Sequence, residues 1–169
     1  LLFYFLKLKV ITLRLLFIKL QNLNWMNKIT AFNLRAYCLI IDQEKILLSN
    51  ELIKGRQVIK FPGGGVEFGE GLIAALKREA VEEMKVSIEK IQHFYTTDFF
   101  QQSEFKLNDQ LISIYFTAQI AKNQSIAYLN EKPKINQPSF FWKELASLNE
   151  ELFHFPIDKH VYTLLKKNQ

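Results

Sequence analysis

A glycine-rich loop followed by a helix bearing clustered carboxylates constrains this chain more than any other feature. Residues 63–86 read GGGVEFGEGLIAALKREAVEEMKV. Apolar side chains recur every four residues from position 72 to position 84, which predicts one amphipathic helix over residues 69–84. Its last two turns carry Glu79, Glu82 and Glu83, at spacings of three and four. Because like charges at such spacings repel by roughly a few tenths of a kcal/mol per pair, the cluster calls for a ligand that offsets the repulsion.

Two phosphate-binding motifs were compared with the glycine loop, and neither fits. The Walker A motif needs Lys and then Ser or Thr after its second glycine, whereas Glu70 and Gly71 follow Gly69. The dinucleotide-binding pattern needs its third glycine where Phe68 stands. The loop also carries Glu67 and Glu70, which would repel a bare phosphate. The sequence therefore does not predict direct phosphate binding by this loop.

The glutamate cluster instead predicts a site for a divalent cation. At 100° per residue, the three carboxylates fall within a sector of about 100° beside the apolar stripe. Hard oxygen donors this close together suit Mg²⁺ or Mn²⁺, which can bridge to a diphosphate and activate water. The glycines let the backbone approach closely, so that a carbonyl oxygen can join the ligands. Arg78 stays protonated and can hold a neighbouring carboxylate in place.

The same residues resemble the box of the Nudix hydrolase family, Gly-x5-Glu-x7-Arg-Glu-U-x-Glu-Glu-x-Gly-U, in which U is apolar. One fixed position differs, because Lys85 stands where the family has glycine. That position is expected to have a left-handed backbone at the helix end, where lysine costs roughly 1 kcal/mol relative to glycine. The box positions that this chain keeps are Gly64, Glu70, Arg78, Glu79, Ala80, Glu82, Glu83 and Val86.

The resemblance implies a fold, an activity and a set of site residues. The fold is α+β, an α/β/α sandwich with a mixed sheet and the box as loop, helix and loop. The activity is Mg²⁺-dependent hydrolysis, with Mn²⁺ as an alternative, of the diphosphate bond of a nucleoside diphosphate linked to another moiety. The alternative is a non-catalytic nucleotide-binding or regulatory module of this fold, although such proteins usually lose the box glutamates.

Roles for individual residues follow from the resemblance by position. The metal ligands would be the carboxylates of Glu79, Glu82 and Glu83 and the backbone carbonyl of Gly63. Arg78 would complete the catalytic set, and Glu70 would join it in holding loop to helix. The glycine loop that contacts substrate would comprise Gly63, Gly64 and Gly65. Glu104 and Glu131, in loops outside the box, are candidates for an additional catalytic base.

The remainder of the chain predicts strands and one further helix around the box. Strands are expected at residues 33–41, 46–52, 58–61, 111–120 and 140–142, with one or two more in 86–100. A polar hairpin loop is expected at residues 101–110, and residues 121–138 are a candidate rim of the substrate site. A terminal helix is predicted over residues 158–167, with Asp158 capping its start. The single cysteine, Cys38, lies in an apolar run and is predicted to be a buried thiol, which suits a reducing cytoplasm.

The first 25 residues differ in composition from the remainder. They carry four cations and no acid, whereas the other 144 residues hold 18 basic and 17 acidic side chains. The basic balance therefore does not indicate a nucleic-acid surface. No apolar run approaches the roughly 20 residues that span a bilayer, so stable membrane insertion is not expected. We predict that residues 1–25 are a translated upstream leader before Met26, with a membrane-surface arm as the alternative, and that residues 26–169 form a single domain that can dimerise.

Overall fold

The structure is a computed structural model that describes residues 29–167. Of these, residues 33–100 and 112–167 belong to one compact unit, and residues 29–32 and 101–111 belong to a smaller one. The predictions for residues 1–25 lie outside the described residues, and a single domain over residues 26–169 stays a prediction. Within the smaller unit, the Thr30 amide donates to the Asn108 carbonyl at 2.8 Å. The box lies entirely in the larger unit.

A mixed β-sheet forms the centre of the fold. In the described part of the chain its strands are β1 (Ala31–Asp42), β2 (Lys45–Ile53), β3 (Arg56–Lys60), β4 (Gly63–Gly65), β5 (Ile88–Thr96), β6 (Asp109–Ile120) and β7 (Ser139–Glu144). Their order is β3-β2-β1-β6-β5, with β4 paired to β1 and β7 paired to β2. Every predicted strand corresponds to one of these elements, and residues 86–100 hold a single strand, β5. Strands β1, β2, β6 and β7 extend slightly beyond their predicted limits, whereas β3 begins two residues earlier than predicted and ends before Phe61.

Among residues 29–167, two α-helices cover the sheet, one on each face, as the alternating side chains of β1 show. Helix α1 (Leu72–Glu79) continues into one π-helical turn (Ala80–Met84), and helix α2 (Pro156–Lys167) ends the described chain. Ala36, Cys38 and Ile40 of β1 pack in one apolar cluster with the buried side chains of α1 and the π-helical turn. The intervening Tyr37 and Leu39 pack in a second cluster with α2. Successive strand residues face opposite sides of a sheet, so the α/β/α sandwich is confirmed.

Two helix boundaries differ from the sequence prediction. Helix α1 begins at Leu72 rather than at position 69, because Gly69 has a φ of +89° and Gly71 is extended. Helix α2 begins at Pro156, a residue favoured in the first turn because it needs no amide donor. Asp158 therefore lies inside the first turn and does not cap the helix. Its side chain is buried and accepts a hydrogen bond from the Tyr115 hydroxyl at 2.7 Å.

Candidate active site

The glycine loop is pressed between the sheet and helix α1. Strand β4 pairs antiparallel with β1, so that Gly63 lies opposite Tyr37 and Gly64 lies opposite Ala36. Gly63 has a φ of +130°, and a Cβ there would come closer than 3.0 Å to the Ala36 carbonyl oxygen. A Cβ on Gly64 would come equally close to the Glu79 carboxylate. Gly63 therefore excludes a side chain, a side chain at position 64 would have to displace the Glu79 carboxylate, and the loop backbone lies directly against a box glutamate.

Arg78 joins this loop to the helix through its whole guanidinium. Its Nη2 atom donates to the Gly65 carbonyl at 2.9 Å and to the Glu70 carboxylate at 2.7 Å, while Nε donates to the second Glu70 oxygen at 3.1 Å. Its Nη1 atom donates to Glu79 at 3.0 Å and to Glu82 at 3.1 Å. The paired hydrogen bonds to Glu70 lower the pKa of that carboxyl below its usual value. Arg78 thus fixes the loop and orients two of the three clustered glutamates.

Glu83 does not contact Arg78 and has a different set of charged neighbours. Its pKa is raised to about 7, chiefly by burial and also by the nearby carboxylates of Glu51 and Glu79, against the lowering effect of Lys60 and Arg35. Three carboxylates thus lie near two cations. A further cation, Arg78, pairs with Glu79 at 3.0 Å, so Glu83 and Glu51 are the carboxylates that depend on Lys60 and Arg35.

The two cations beside Glu83 are themselves buried. Lys60 is 2% exposed; its Nζ atom lies 2.6 Å from the Gly63 carbonyl oxygen and 2.7 Å from Glu51. Burial disfavours its charged form, but Glu51, Tyr37 and Glu83 outweigh that cost and hold the pKa of Lys60 above its usual value. Arg35 donates to the Tyr37 hydroxyl at 2.5 Å, and its pKa is also raised, chiefly by Tyr37. Both side chains therefore stay charged.

Sequence reasoning missed Lys60, Glu51 and Arg35, although one signal for Lys60 was available. In a strand, residues two apart share a face, so Lys60 lies on the same face of β3 as the fully buried Val58. Glu51 pairs with Val58 across the β2–β3 ladder, which brings its side chain to the same region. Arg35 carried no comparable signal, because its position follows from the pairing of β1 with the glycine loop.

The helix end after the glutamates adopts the backbone that the box requires. Lys85 has a φ of +59° and a ψ of +32°, the left-handed conformation that glycine adopts more readily. Its amide, and that of Val86 at 3.4 Å, donate to the Ala80 carbonyl, and its Nζ atom donates to the Glu82 carbonyl at 2.9 Å. The preceding five residues form a π-helical turn, a local widening that is frequent at functional sites. Lysine therefore adopts the strained conformation without displacing the glutamates.

A cavity of about 430 Å³ opens beside Glu83. Its walls are the β2–β3 hairpin at residues 51–55 and the loop at residues 134–138, which lies within the predicted substrate rim. Lys134, Asn136 and Gln137 supply polar groups to it. Volumes of this size are typical of small-molecule sites. The structure thus places room for a nucleotide-sized ligand next to one of the clustered carboxylates.

The chemistry of these donors fits a hard divalent cation. Carboxylate oxygens of Glu79 and Glu83 and the Gly63 carbonyl are the oxygen ligands that such ions prefer, and a cation would offset the repulsion of Glu83 by the carboxylates of Glu51 and Glu79. Within residues 29–167, no three His, Cys, Asp or Glu side chains converge closely enough to hold a metal ion. The reason lies in the contacts above, since Arg78 holds Glu79 and Glu82 while Lys60 occupies the Gly63 carbonyl.

Three other residues named in the sequence analysis make none of the site contacts described above. Glu104 and Glu131 are both exposed, and Glu104 belongs to the smaller unit. Cys38 is 1% exposed, and burial raises the pKa of its thiol to about 12, so the predicted buried thiol is confirmed. No helix among the described residues is both long and apolar enough to cross a membrane.

Comparison with known proteins supports the interpretation of the box. A family model described as NUDIX domain matches residues 31–165. The chain is 30% identical over 135 residues to an 8-oxo-dGTP diphosphatase of Buchnera aphidicola, a match that covers 76% of this chain and 93% of that protein.

Solved structures show the same fold at lower sequence identity. A NUDIX hydrolase from Nitrosomonas europaea is 18% identical, with a TM-score of 0.63, and the match covers 81% of this chain and 90% of that chain. A MutT NUDIX hydrolase from Burkholderia pseudomallei is 17% identical, with a TM-score of 0.61, over 79% of this chain and 97% of that one. The family model and the curated relative both span most of the chain, and its box residues are assembled around one loop and one helix. On this evidence the chain belongs to the NUDIX domain family, as a Nudix-type pyrophosphohydrolase.

Proposed function

We propose that this chain is a Mg²⁺-dependent hydrolase that cleaves the diphosphate bond of a nucleoside diphosphate linked to another moiety, with Mn²⁺ as an alternative ion. The observation that carries the proposal is the position of Glu83. This carboxylate interacts with Glu79 and with Lys60, whose ammonium donates to the Gly63 carbonyl, and it also lines a cavity of about 430 Å³. A cation bound by Glu83 could contact both the protein oxygens and the phosphate oxygens of a diphosphate in the cavity.

The substrate that we favour is a nucleoside triphosphate, in which the linked moiety is a phosphate. Support comes from the curated relative, whose name describes an activity on 8-oxo-dGTP. Lys134 in the cavity wall supplies a cation for phosphate oxygens. Asn136 and Gln137 supply amide groups that can donate hydrogen bonds to a base and accept hydrogen bonds from it. The partner is therefore a small molecule, and association of two copies of the chain stays a prediction.

The protein's own part in the reaction is to bind, orient and hold charge. Glu79, Glu82, Glu83 and the Gly63 carbonyl would hold the metal, which when bound supplies charge stabilisation to the diphosphate and lowers the pKa of water. Arg78 keeps Glu79 and Glu82 in fixed positions and ties them to the loop. The cavity walls orient the substrate beside Glu83. The buried Cys38 thiol is compatible with the reducing cytoplasm, where we place this activity.

The decisive experiment is a hydrolysis screen over a panel of diphosphate compounds. The panel would include 8-oxo-dGTP, dGTP, a nucleoside diphosphate sugar and a dinucleoside polyphosphate, each with Mg²⁺, with Mn²⁺ and with excess EDTA. We expect Mg²⁺-dependent release of a nucleotide product, with the triphosphates the best substrates, and a melting temperature that rises with Mg²⁺ because the ion binds only the folded state.

Two results would count against the proposal. Full turnover in excess EDTA would remove the metal from the mechanism. Metal-dependent binding of a nucleotide without turnover of any compound would favour the binding-module alternative, in which the box holds a ligand but does no chemistry.

A further inference from the structure

Lys60 places a positive charge on the atom that the Nudix resemblance assigns to the metal. Its Nζ atom lies 2.6 Å from the carbonyl oxygen of Gly63 and 2.7 Å from a carboxylate oxygen of Glu51. It also lies 5.2 Å from the centroid of the Tyr37 ring. The side chain is 2% exposed, so this ammonium has exchanged water for these partners. The contacts are those of an ion at a built site, not of a lysine extending into solvent.

The charges around this ammonium explain its position. Glu83 interacts electrostatically with the carboxylates of Glu51 and Glu79 and with the cations Lys60 and Arg35. Because Arg78 pairs with Glu79, loss of Lys60 would leave Glu51 and Glu83 with Arg35 as their neighbouring cation. Because buried like charges repel strongly, a cation is needed there even before any metal binds. Lys60 supplies it, and its hydrogen bond also fixes the direction of the Gly63 carbonyl.

A divalent cation and the Lys60 ammonium compete for this carbonyl oxygen. Mg²⁺ binds oxygen ligands at about 2.0–2.1 Å, so an ion on the same oxygen would lie within about 5 Å of Nζ. Two positive charges at that separation, out of water, repel each other strongly. One of them has to move, and the lysine is the one with a flexible stem.

We infer that Lys60 is a resident cation that takes the place of the metal on the Gly63 carbonyl in the metal-free protein and is displaced when the metal binds. The inference rests on the proposed function, because it takes the Gly63 carbonyl as a metal ligand. Lys60 then has two opposite effects. It stabilises the metal-free loop, and it weakens metal binding because the ion has to displace it. A lysine with a purely structural role would have one effect only, since its loss would disorder the loop and weaken metal binding as well.

The test compares Lys60→Met with wild type in a titration with Mn²⁺ alone, without substrate, in which the free ion is measured by electron paramagnetic resonance. Methionine keeps an unbranched apolar stem of similar length without the charge. We expect at least tenfold tighter Mn²⁺ binding by the variant, together with a lower melting temperature in EDTA. Lys60→Gln, whose amide can still donate a hydrogen bond but carries no charge, should also bind Mn²⁺ more tightly, and it decides the question if the methionine variant does not fold.

A lysine elsewhere on the sheet provides the matched control. Lys45 is 45% exposed and pairs with Glu144 at 3.2 Å. Lys45→Met removes the same charge, and its affinity for Mn²⁺ should stay within twofold of wild type. Equal or weaker Mn²⁺ binding by both Lys60 variants would overturn the inference while leaving the proposed function intact. Failure of wild type and of both variants to bind Mn²⁺ would overturn the proposed metal site and the inference together.

Discussion

Two carboxyl groups in this protein, Glu83 and Asp158, share a pKa raised to about 7, yet their surroundings differ. In both cases burial is the largest cause of the shift. Glu83 is partly buried, lines a cavity and lies near two further carboxylates. Asp158 is 1% exposed, belongs to the first turn of α2 and accepts a hydrogen bond from Tyr115, whose ring packs in the apolar cluster beside that helix.

The difference teaches that a raised pKa alone does not identify a functional site. Asp158 is closed off from solvent and its hydrogen-bond partner is a hydroxyl, so protonation is sufficient to satisfy it. Lys60, Arg35 and Glu51 act electrostatically on both carboxyl groups. Glu83 differs because it lines a cavity and has a further carboxylate, Glu79, beside it, so a cation can satisfy it as well. Access from the cavity and the additional carboxylate, not the size of the shift, separate the metal-site candidate from the buried core acid.

The largest difference between Glu83 and Asp158 is expected in catalytic turnover, and Glu83→Gln tests it. If Glu83 holds the catalytic metal, the amide removes charge that matters most in the transition state, and kcat should fall roughly a hundredfold or more, about 2.7 kcal/mol. In EDTA at pH 8 the variant should be as stable as wild type or more stable, because it no longer buries a charged carboxylate. Steady-state kinetics with the best substrate of the panel and thermal unfolding in EDTA measure both.

Two companion variants make this result interpretable. Glu82→Gln is expected to lose turnover as Glu83→Gln does, whereas Glu89→Gln, an exposed glutamate on β5, should keep wild-type kinetics. Near-wild-type kcat in Glu82→Gln and Glu83→Gln would mean that the box is only structural in this protein.

The next effect is a pH dependence that Asp158→Asn should remove. The pKa of Asp158 is about 7 in the folded protein against an ordinary value of 3.8, so the folded state favours the protonated form. Its contribution to stability is therefore fully present below about pH 4 and is lost as the pH rises through 7. Asparagine keeps the shape and the acceptor for Tyr115, and it should raise the free energy of unfolding at pH 8 by an amount on the order of 3 kcal/mol.

Denaturant unfolding of wild type and Asp158→Asn from pH 4 to pH 8 measures this difference, with EDTA present. The two proteins should converge at the acidic end and separate as the pH rises. Metal-dependent turnover should be retained, in contrast to Glu83→Gln. A variant that is less stable than wild type at pH 8 would show that the ionised carboxylate, not the protonated acid, is the form that the fold favours.

The smallest effect concerns the end of the box helix. Lys85→Gly should stabilise the protein by about 0.5–1 kcal/mol, because glycine adopts the left-handed backbone at this position with less strain. The gain is reduced by loss of the exposed hydrogen bond to the Glu82 carbonyl. Lys77→Gly, the same substitution inside α1, should instead destabilise by about 1 kcal/mol. A fall in the melting temperature of Lys85→Gly would show that the lysine side chain outweighs the backbone strain.

The sequence predicted the sheet and the box helix well because both depend on local patterns. Apolar runs mark the strands, and the four-residue repeat of Leu72, Leu76, Ala80 and Met84 marks the buried face of the helix. Glycine spacing and charge order identified the loop. What the sequence misjudged was the role of Asp158, because its position relative to the sheet depends on where Pro156 starts the helix.

The charged group around Lys60 could not be predicted from local patterns. Glu51, Lys60 and Arg35 lie on three different strands, and they meet only because β2 pairs with β3 and β1 pairs with the glycine loop. Such contacts are set by register, which a single sequence specifies only indirectly. Strand alternation could have assigned Lys60 to a buried face, but it would not have revealed that the partners of Lys60 are Glu51 and a backbone carbonyl.

Several of the contacts at this loop are made by main-chain atoms, and this affects what a mutational scan can reveal. The carbonyls of Gly63 and Gly65 accept hydrogen bonds from Lys60 and Arg78. Replacing Gly63 by any other residue would report the clash of the new Cβ with β1, since the carbonyl is still present in every variant. A conventional scan would therefore identify position 63 as intolerant of substitution for steric reasons. It would not detect the contribution of the Gly63 carbonyl as a hydrogen-bond acceptor. Replacing the peptide bond after Gly63 by an ester, which weakens the carbonyl as an acceptor and adds no side chain, would expose its contribution.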